Sequence, residues 1–119
     1  MNRHRILVAY DGSEESFRAL EQAADAAQQA DAELGVVSVM PLSVDAPREV
    51  LDYLRDRDLT ATIHAPSGDP ATEIARVTDQ GAYNTVYLGI RDGAIGRTLA
   101  ESVSQRVMLT VPASVVAAR

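Results

Sequence analysis

The chain has 119 residues, which is enough for one domain with a real hydrophobic core and too few for a second. It contains neither cysteine nor lysine, so disulfides, thiolate nucleophiles, Cys-type zinc sites, P-loop lysines and Schiff-base chemistry are excluded. Its formal net charge of −6 argues against a general nucleic-acid binder, which would present a basic face.

The first elements are a strand, a helix and a second strand. Residues 5–10 (RILVAY) form a continuous apolar run that predicts a buried strand, ended by an Asp-Gly pair. Ser13 is a good cap, and the apolar residues that follow recur at helical spacing, which predicts a helix over residues 13–30. Residues 33–40 (ELGVVSVM) predict the second strand, which Pro41 ends.

The next two elements are shorter. Residues 47–57 predict a helix whose apolar face is made by Val50, Leu51 and Leu54. Residues 59–65 (LTATIHA) alternate and are β-branched, which predicts a third strand near an edge of the sheet.

The last part of the chain continues the alternation. Asp69 as a cap and Pro70 in the first turn signal the start of another helix. The predicted elements here are a helix over residues 70–80, a strand over 85–90, a helix over 98–109 and a last strand from Ala113 to Ala117.

Strands that alternate with helices predict an α/β domain over residues 1–119, with a doubly wound five-stranded parallel sheet and helices on both faces. In such sheets, ligands bind at the carboxyl ends of the strands, at the topological switch point. No apolar run is long enough for a signal peptide or a membrane span, so we expect a soluble cytoplasmic protein.

The loop after the fourth strand combines features of a phosphate site. Its glycines free the backbone for close approach, its arginines supply positive charge, and its hydroxyls lie near a helix start. These residues are Gly89, Arg91, Gly93, Gly96, Arg97, Thr98 and Ser102. A flexible connection that needs glycines only for turning is the alternative interpretation.

Two further residues have both a chemical and a structural interpretation. Asp11 can accept a hydrogen bond from a ribose hydroxyl or hold a metal-bound phosphate, or it can begin an Asp-Gly turn that caps the helix. His64 can be a base or a partly buried strand residue, and no partner lies near it in sequence. No nucleophile-elbow or metal-ligand spacing is present, so we predict no catalytic residue and no metal site.

Four segments together resemble the universal stress protein family. ILVAYDGSEES resembles the family's opening, AELGVVSVM and SGDPATEI its second strand and third helix, and YLGIRDGAIGRTLAESVSQRVM its signature near the carboxyl end. The resemblance covers nearly the whole chain. It implies the adenine-nucleotide alpha hydrolase-like fold with strand order 3-2-1-4-5, and a homodimer formed through the last strand.

The resemblance also implies a nucleotide site, because some members of the family bind ATP. Those members carry Gly-two residues-Gly-nine residues-Gly-Ser/Thr, whose amides and hydroxyl hold phosphates and ribose. The positions of this sequence that match nucleotide contacts are Asp11, Val39, Gly89, Ser102 and Val103.

The sequence departs from that motif at the phosphate positions. Asp92 stands at the position of the motif's second glycine, and Glu101 at that of the third. The loop is also one residue shorter than the motif, so Gly93 can replace the second glycine only if the backbone follows a different path. Arg91 or Arg97 can offset part of the added negative charge, and Mg²⁺ can bridge the charges.

We therefore expect a non-enzymatic, dimeric stress-response protein with weak or lost ATP binding. No cofactor is firmly predicted, and ATP with Mg²⁺ is the candidate. The alternatives are an ATP- or AMP-responsive switch of the same fold and, from the enzyme class, a nucleotide hydrolase.

Overall fold

The computed structural model describes residues 4–39, 46–89 and 113–118. The elements in these ranges are β1 Arg5–Ala9, α1 Glu14–Ala30, β2 Glu33–Val37, α2 Ala46–Asp56, β3 Thr62–His64, α3 Pro70–Gln80, β4 Thr85–Gly89 and β5 Ser114–Ala118. The helix predicted over residues 98–109 lies outside these ranges. None of the helices within them is long and apolar enough to cross a membrane.

The five strands form one parallel sheet in the order β3-β2-β1-β4-β5, as expected. β1 occupies the centre and pairs with β2 on one side and β4 on the other. Chain order runs outward from β1 in one direction through β2 and β3, and then in the other through β4 and β5. The topological switch point therefore lies between the carboxyl ends of β1 and β4.

Alternate residues of the strands point into two apolar cores, one on each face of the sheet. Ile6 and Val8 of β1 pack in the core that contains buried residues of α1 and α2. Leu7 of β1 points to the opposite core, with Ile74 and Val77 of α3. The described helices thus lie on both faces of the sheet, as predicted.

β2 ends three residues earlier than the predicted strand over residues 33–40. Its last residue is Val37, whose carbonyl accepts the Tyr10 N–H at 2.9 Å. The neighbouring strand then turns at Gly12, which has a φ of +88°. Residues 38 and 39 therefore continue past the end of the ladder, and residue 40 lies outside the described ranges.

β3 is also shorter than predicted, because the segment before it completes the end of α2. Asp58 adopts a left-handed φ of 58°, and the Leu59 N–H donates to the Leu54 carbonyl at 2.8 Å. This bond satisfies a helix-terminal carbonyl. Leu59 is thereby committed to the helix end, and the strand begins only at Thr62.

The apolar face of α2 was predicted partly wrongly. Val50 and Leu54 are buried, as expected for residues four apart on one helix face. Leu51 is 50 % exposed, because it lies one position round the helix from Val50.

Gly89 allows the first turn of α1 to lie over the end of β4. A Cβ at Gly89 would be 2.7 Å from the Glu15 carbonyl oxygen and nearer still to the Ser16 nitrogen. Real Cβ atoms essentially never make contacts under 3.0 Å, and backbone atoms cannot swing aside as a flexible side chain can. The glycine is therefore required for packing, whether or not a ligand binds.

Gly35 has a comparable role on the other face of the sheet. Tyr83, which is 4 % exposed, lies across Gly35, and a Cβ there would be 2.6 Å from Cζ of the tyrosine ring. The ring also lies 4.9 Å from the Arg5 guanidinium, and its hydroxyl is 2.9 Å from His64 Nε2. Tyr83, in the connection between α3 and β4, thus contacts residues of β1, β2 and β3.

We expect Gly89→Ala to lower the free energy of unfolding of the ligand-free protein by about 1–3 kcal/mol, because the added methyl group forces the first turn of α1 away from β4. Urea denaturation measures the loss, and amide hydrogen exchange in residues 11–16 locates it. Unchanged stability without ligand would contradict the packing role and leave ligand approach as the reason for this glycine.

We expect Gly35→Ala to cost a similar amount, about 1–3 kcal/mol, because the methyl group overlaps the Tyr83 ring. In a Tyr83→Leu background the same substitution should cost much less, since the ring is gone. A double-mutant cycle by urea denaturation measures the coupling. Equal losses in the two backgrounds would show that the ring is not the obstacle.

Candidate functional site

Three of the predicted site residues lie along the carboxyl edge of adjacent strands. Asp11 follows β1, Val39 follows β2, and Gly89 ends β4. The other predicted site residues lie outside the described ranges; they are Arg91, Gly93, Gly96, Arg97, Thr98, Ser102 and Val103. The described part of the chain holds no cluster of three or more His, Asp or Glu side chains that could bind a metal ion.

The turn after β1 is held by its own side chains. The Ser13 N–H donates to Asp11 Oδ1 at 2.9 Å, and the Ser13 hydroxyl accepts the Ser16 N–H at 3.1 Å. Ser13 is thus the N-cap of α1, as predicted. The turn-forming interpretation of Asp11 is confirmed, and it leaves room for a second role because a carboxylate accepts several hydrogen bonds.

The environment of Asp11 keeps its carboxylate charged. Burial raises its pKa, but hydrogen bonding from Ser13 lowers it more, so that the net pKa is below the ordinary value. The side chain is nevertheless exposed. Asp11 is therefore a fixed, ionised hydrogen-bond acceptor that a ligand can reach.

Ser16 connects Asp11 to Gly89. It is 3 % exposed, and its Oγ accepts the Asp11 N–H at 3.3 Å and donates to the Ser13 carbonyl at 2.9 Å. The backbone of the same residue packs on Gly89. The carboxyl ends of β1 and β4 are thus joined through one residue of α1, which sequence reasoning did not single out.

Val39 and Ser38 belong to the site in different ways. The Val39 side chain is 6 % exposed and packs in the core on the α3 side of the sheet. The Ser38 hydroxyl, 1 % exposed, donates to the Tyr10 carbonyl at 3.0 Å, and the Ser38 N–H donates to the His64 carbonyl at 2.9 Å. Sequence reasoning missed Ser38, although a lone hydroxyl inside the apolar run GVVSVM was a visible signal.

Tyr10 was also missed. It is 3 % exposed, and its hydroxyl donates to the Glu49 carboxylate at 2.8 Å. Burial, the bond to Glu49 and the nearby charges of Glu49 and Asp11 raise the pKa of the phenol far above its ordinary value. Tyr10 is therefore a permanent donor that ties the end of β1 to α2.

A shallow cavity of about 320 Å³ lies beside this bond, between the start of α1 and α2. Its lining residues are Tyr10, Gly12, Ser13, Glu14, Phe17, Arg18, Glu21 and Glu49. Three carboxylates against one guanidinium make its potential unfavourable for a phosphate.

His64 is half-buried at the end of β3, as the structural interpretation predicted. Its Nε2 is hydrogen-bonded to the Tyr83 hydroxyl at 2.9 Å, and the two rings meet edge to face. Burial, and secondly the charge of Arg5, lower the pKa of the imidazole. β2 separates β3 from β1, so the structure does not bring this histidine to Asp11.

Solved structures confirm the fold. A universal stress protein in complex with cAMP matches with a TM-score of 0.84 at 20 % identity, covering 100 % of this chain and 98 % of that one. A universal stress protein from Archaeoglobus fulgidus in complex with dAMP has a TM-score of 0.76 at 23 % identity, with complete coverage of both chains.

A third structure, a universal stress protein from Archaeoglobus fulgidus DSM 4304, has a TM-score of 0.83 at 25 % identity over 97 % of this chain. This chain spans 43 % of that protein's length. No curated protein matches the sequence. The model of the universal stress protein family matches residues 2–63 and 45–119, and the chain therefore belongs to the universal stress protein family.

Proposed function

We propose that this chain is a cytoplasmic, non-enzymatic stress-response protein that acts as a homodimer and binds adenine nucleotides weakly at the carboxyl edge of its sheet. The observation that carries the proposal is Asp11, an exposed and ionised acceptor fixed beside the switch point between β1 and β4. Two similar structures were solved with cAMP and dAMP, which supports an adenine nucleotide as the ligand.

The nucleoside half of such a ligand suits the described residues. Asp11 uses Oδ1 for the Ser13 N–H, and a carboxylate has further acceptor positions for a ribose hydroxyl. The family resemblance assigns adenine to backbone near Val39, which lies one strand away at the same edge. Both contacts require only an acceptor and backbone groups, which this sequence retains.

The phosphate half suits the sequence poorly. Asp92 and Glu101 replace two of the three motif glycines. A carboxylate at contact distance from a phosphate costs about 1–4 kcal/mol, depending on the local dielectric. The penalty grows with the charge of the phosphate chain, so a monophosphate is favoured over a triphosphate. Mg²⁺ would reduce the repulsion by neutralising part of that charge.

We expect AMP to bind at least about tenfold more tightly than Mg²⁺-free ATP, because ATP is repelled more strongly. A difference of about 1.4 kcal/mol in binding free energy corresponds to about tenfold in Kd. Glu101→Gln should improve ATP binding by about tenfold and AMP binding by less. Titration calorimetry with AMP, ATP and ATP–Mg²⁺ measures these constants. Asp79→Asn removes the same charge from the exposed end of α3 and should change neither Kd.

Micromolar ATP binding by the unaltered protein, or stoichiometric ATP in the purified protein, would refute the weakened phosphate site. No measurable binding of any adenine nucleotide would refute the nucleotide site as a whole. Turnover of ATP by ³¹P NMR that is lost in Asp11→Asn would make the protein an enzyme instead.

The position of β5 at the end of the sheet supports the proposed dimer. β5 pairs with β4 along one side, and no strand of the described ranges pairs with its other side. Val115 and Val116 are only half-buried there. An open edge of this kind is a template for another strand, and a second copy of β5 satisfies its unpaired backbone groups. The family resemblance supports this mode of pairing.

We expect a dimer at micromolar concentration by light scattering, and proline substitutions in β5 test its interface. Adjacent residues of a strand direct their N–H groups to opposite sides, so Val116→Pro and Ala117→Pro are matched controls for each other. One should abolish the dimer with little loss of monomer stability, and the other should destabilise the fold by removing a bond to β4. A monomeric unaltered protein, or a dimer that survives both substitutions, would refute pairing through β5.

A further inference from the structure

Ser38 and Ser16 hold the peptide unit between Tyr10 and Asp11 from two sides. The Tyr10 carbonyl accepts the Ser38 hydroxyl at 3.0 Å, and the Asp11 N–H of the same planar unit donates to Ser16 Oγ at 3.3 Å. Both serines are buried, at 1 % and 3 % exposure. The plane that precedes the Asp11 Cα therefore has little freedom to rotate.

The Ser38 bond also stands where the strand ladder stops. The ladder between β1 and β2 reaches the bond from the Tyr10 N–H to the Val37 carbonyl. One residue further along, the link between the two chain segments is made by a side chain. Ser38 directly precedes Val39, and Tyr10 directly precedes Asp11. This one hydrogen bond therefore links the residues that immediately precede the positions assigned to adenine and ribose.

We infer that Ser38 is a positioning residue of the ligand site, whose hydroxyl fixes the Asp11 carboxylate relative to the backbone at Val39. The inference rests on the proposed function, since it assigns a role in binding to a residue that a bound nucleoside would not need to touch. A ligand that spans both positions gains from their fixed spacing, because less freedom is lost on binding.

A purely structural role for the same hydroxyl is the competing explanation, and the chain provides a matched control for it. Thr78 is also 1 % exposed, and its hydroxyl donates to the Ile74 carbonyl at 2.7 Å within α3. It makes the same kind of bond away from the site. Thr78→Val and Ser38→Ala therefore each remove one buried hydroxyl donor, and only Ser38→Ala acts on the site.

The experiment measures two quantities in the full chain with Ser38→Ala, Ser38→Thr and Thr78→Val. The first is the Kd of AMP by titration calorimetry. The second is the titration of the Asp11 carboxyl group by ¹³C NMR in the ligand-free protein, which reports the hydrogen bonds of the Asp11 turn without any nucleotide. Thermal denaturation shows that each variant is folded.

We expect Ser38→Ala to raise the Kd of AMP by about three- to tenfold and to raise the pKa of Asp11 towards its ordinary value, because the turn loses its fixed geometry. Ser38→Thr retains the hydroxyl and should restore both quantities. Thr78→Val should lower the melting temperature while leaving the Kd of AMP within about twofold of its original value and the pKa of Asp11 unchanged.

If the unaltered protein binds no adenine nucleotide, the proposed function fails, and the Asp11 titration alone decides the positioning role. That role is overturned if Ser38→Ala leaves the Asp11 titration unchanged, or leaves the Kd of AMP unchanged when AMP binds. It is equally overturned if Thr78→Val produces the same changes as Ser38→Ala.

Discussion

The close contact between Gly89 and the first turn of α1 is the constraint on which the candidate site depends. Because β4 ends in a residue without a side chain, the backbone of Glu15 and Ser16 can lie directly over it. This places the buried Ser16 hydroxyl within reach of the Asp11 N–H. The contact therefore brings the carboxyl ends of β1 and β4 into one structural unit, and it fixes where the turn that carries Asp11 must lie.

Around this contact, a few buried polar groups join the chain segments beyond the last backbone hydrogen bond of the sheet. Ser38 joins β2 to β1, Ser16 joins β1 to α1, and the Tyr10 hydroxyl joins β1 to α2 through Glu49. Each group is satisfied by a partner, so its burial is tolerated, and the partners restrict the loop to one arrangement. A rigid edge of this kind favours ligand binding in general, because little ordering then opposes binding.

The two halves of the proposed nucleotide site have separate physical requirements, and this chain meets them to different degrees. The nucleoside half needs an ionised acceptor and accessible backbone. Asp11 supplies the acceptor, and the hydrogen bonds of its own turn keep it ionised. The phosphate half needs amides without side chains and no excess negative charge, and the family resemblance aligns Asp92 and Glu101 with two of its glycine positions. Gly89 also has a role that is independent of phosphate, namely its packing on α1.

The sequence alone determined the local structure and the class of fold. The α3 helix has its predicted bounds, and Ser13 caps α1 as expected, because capping and helical periodicity are decided by neighbouring residues. The sequence could also place Asp11 and Gly89 at one edge, since strands that alternate with helices run parallel.

The tertiary structure decided what depends on partners distant in the chain. β2 ends where its neighbour stops pairing, and β3 begins only after Leu59 has closed α2; the apolar pattern does not encode either limit. Ser38 meets Tyr10 across 28 positions, and His64 finds Tyr83 across 19. Such pairings arise only when the strands lie side by side, so the sequence could name Asp11, Val39 and Gly89 as candidates but not Ser38 or the hydrogen bonds that hold the edge together.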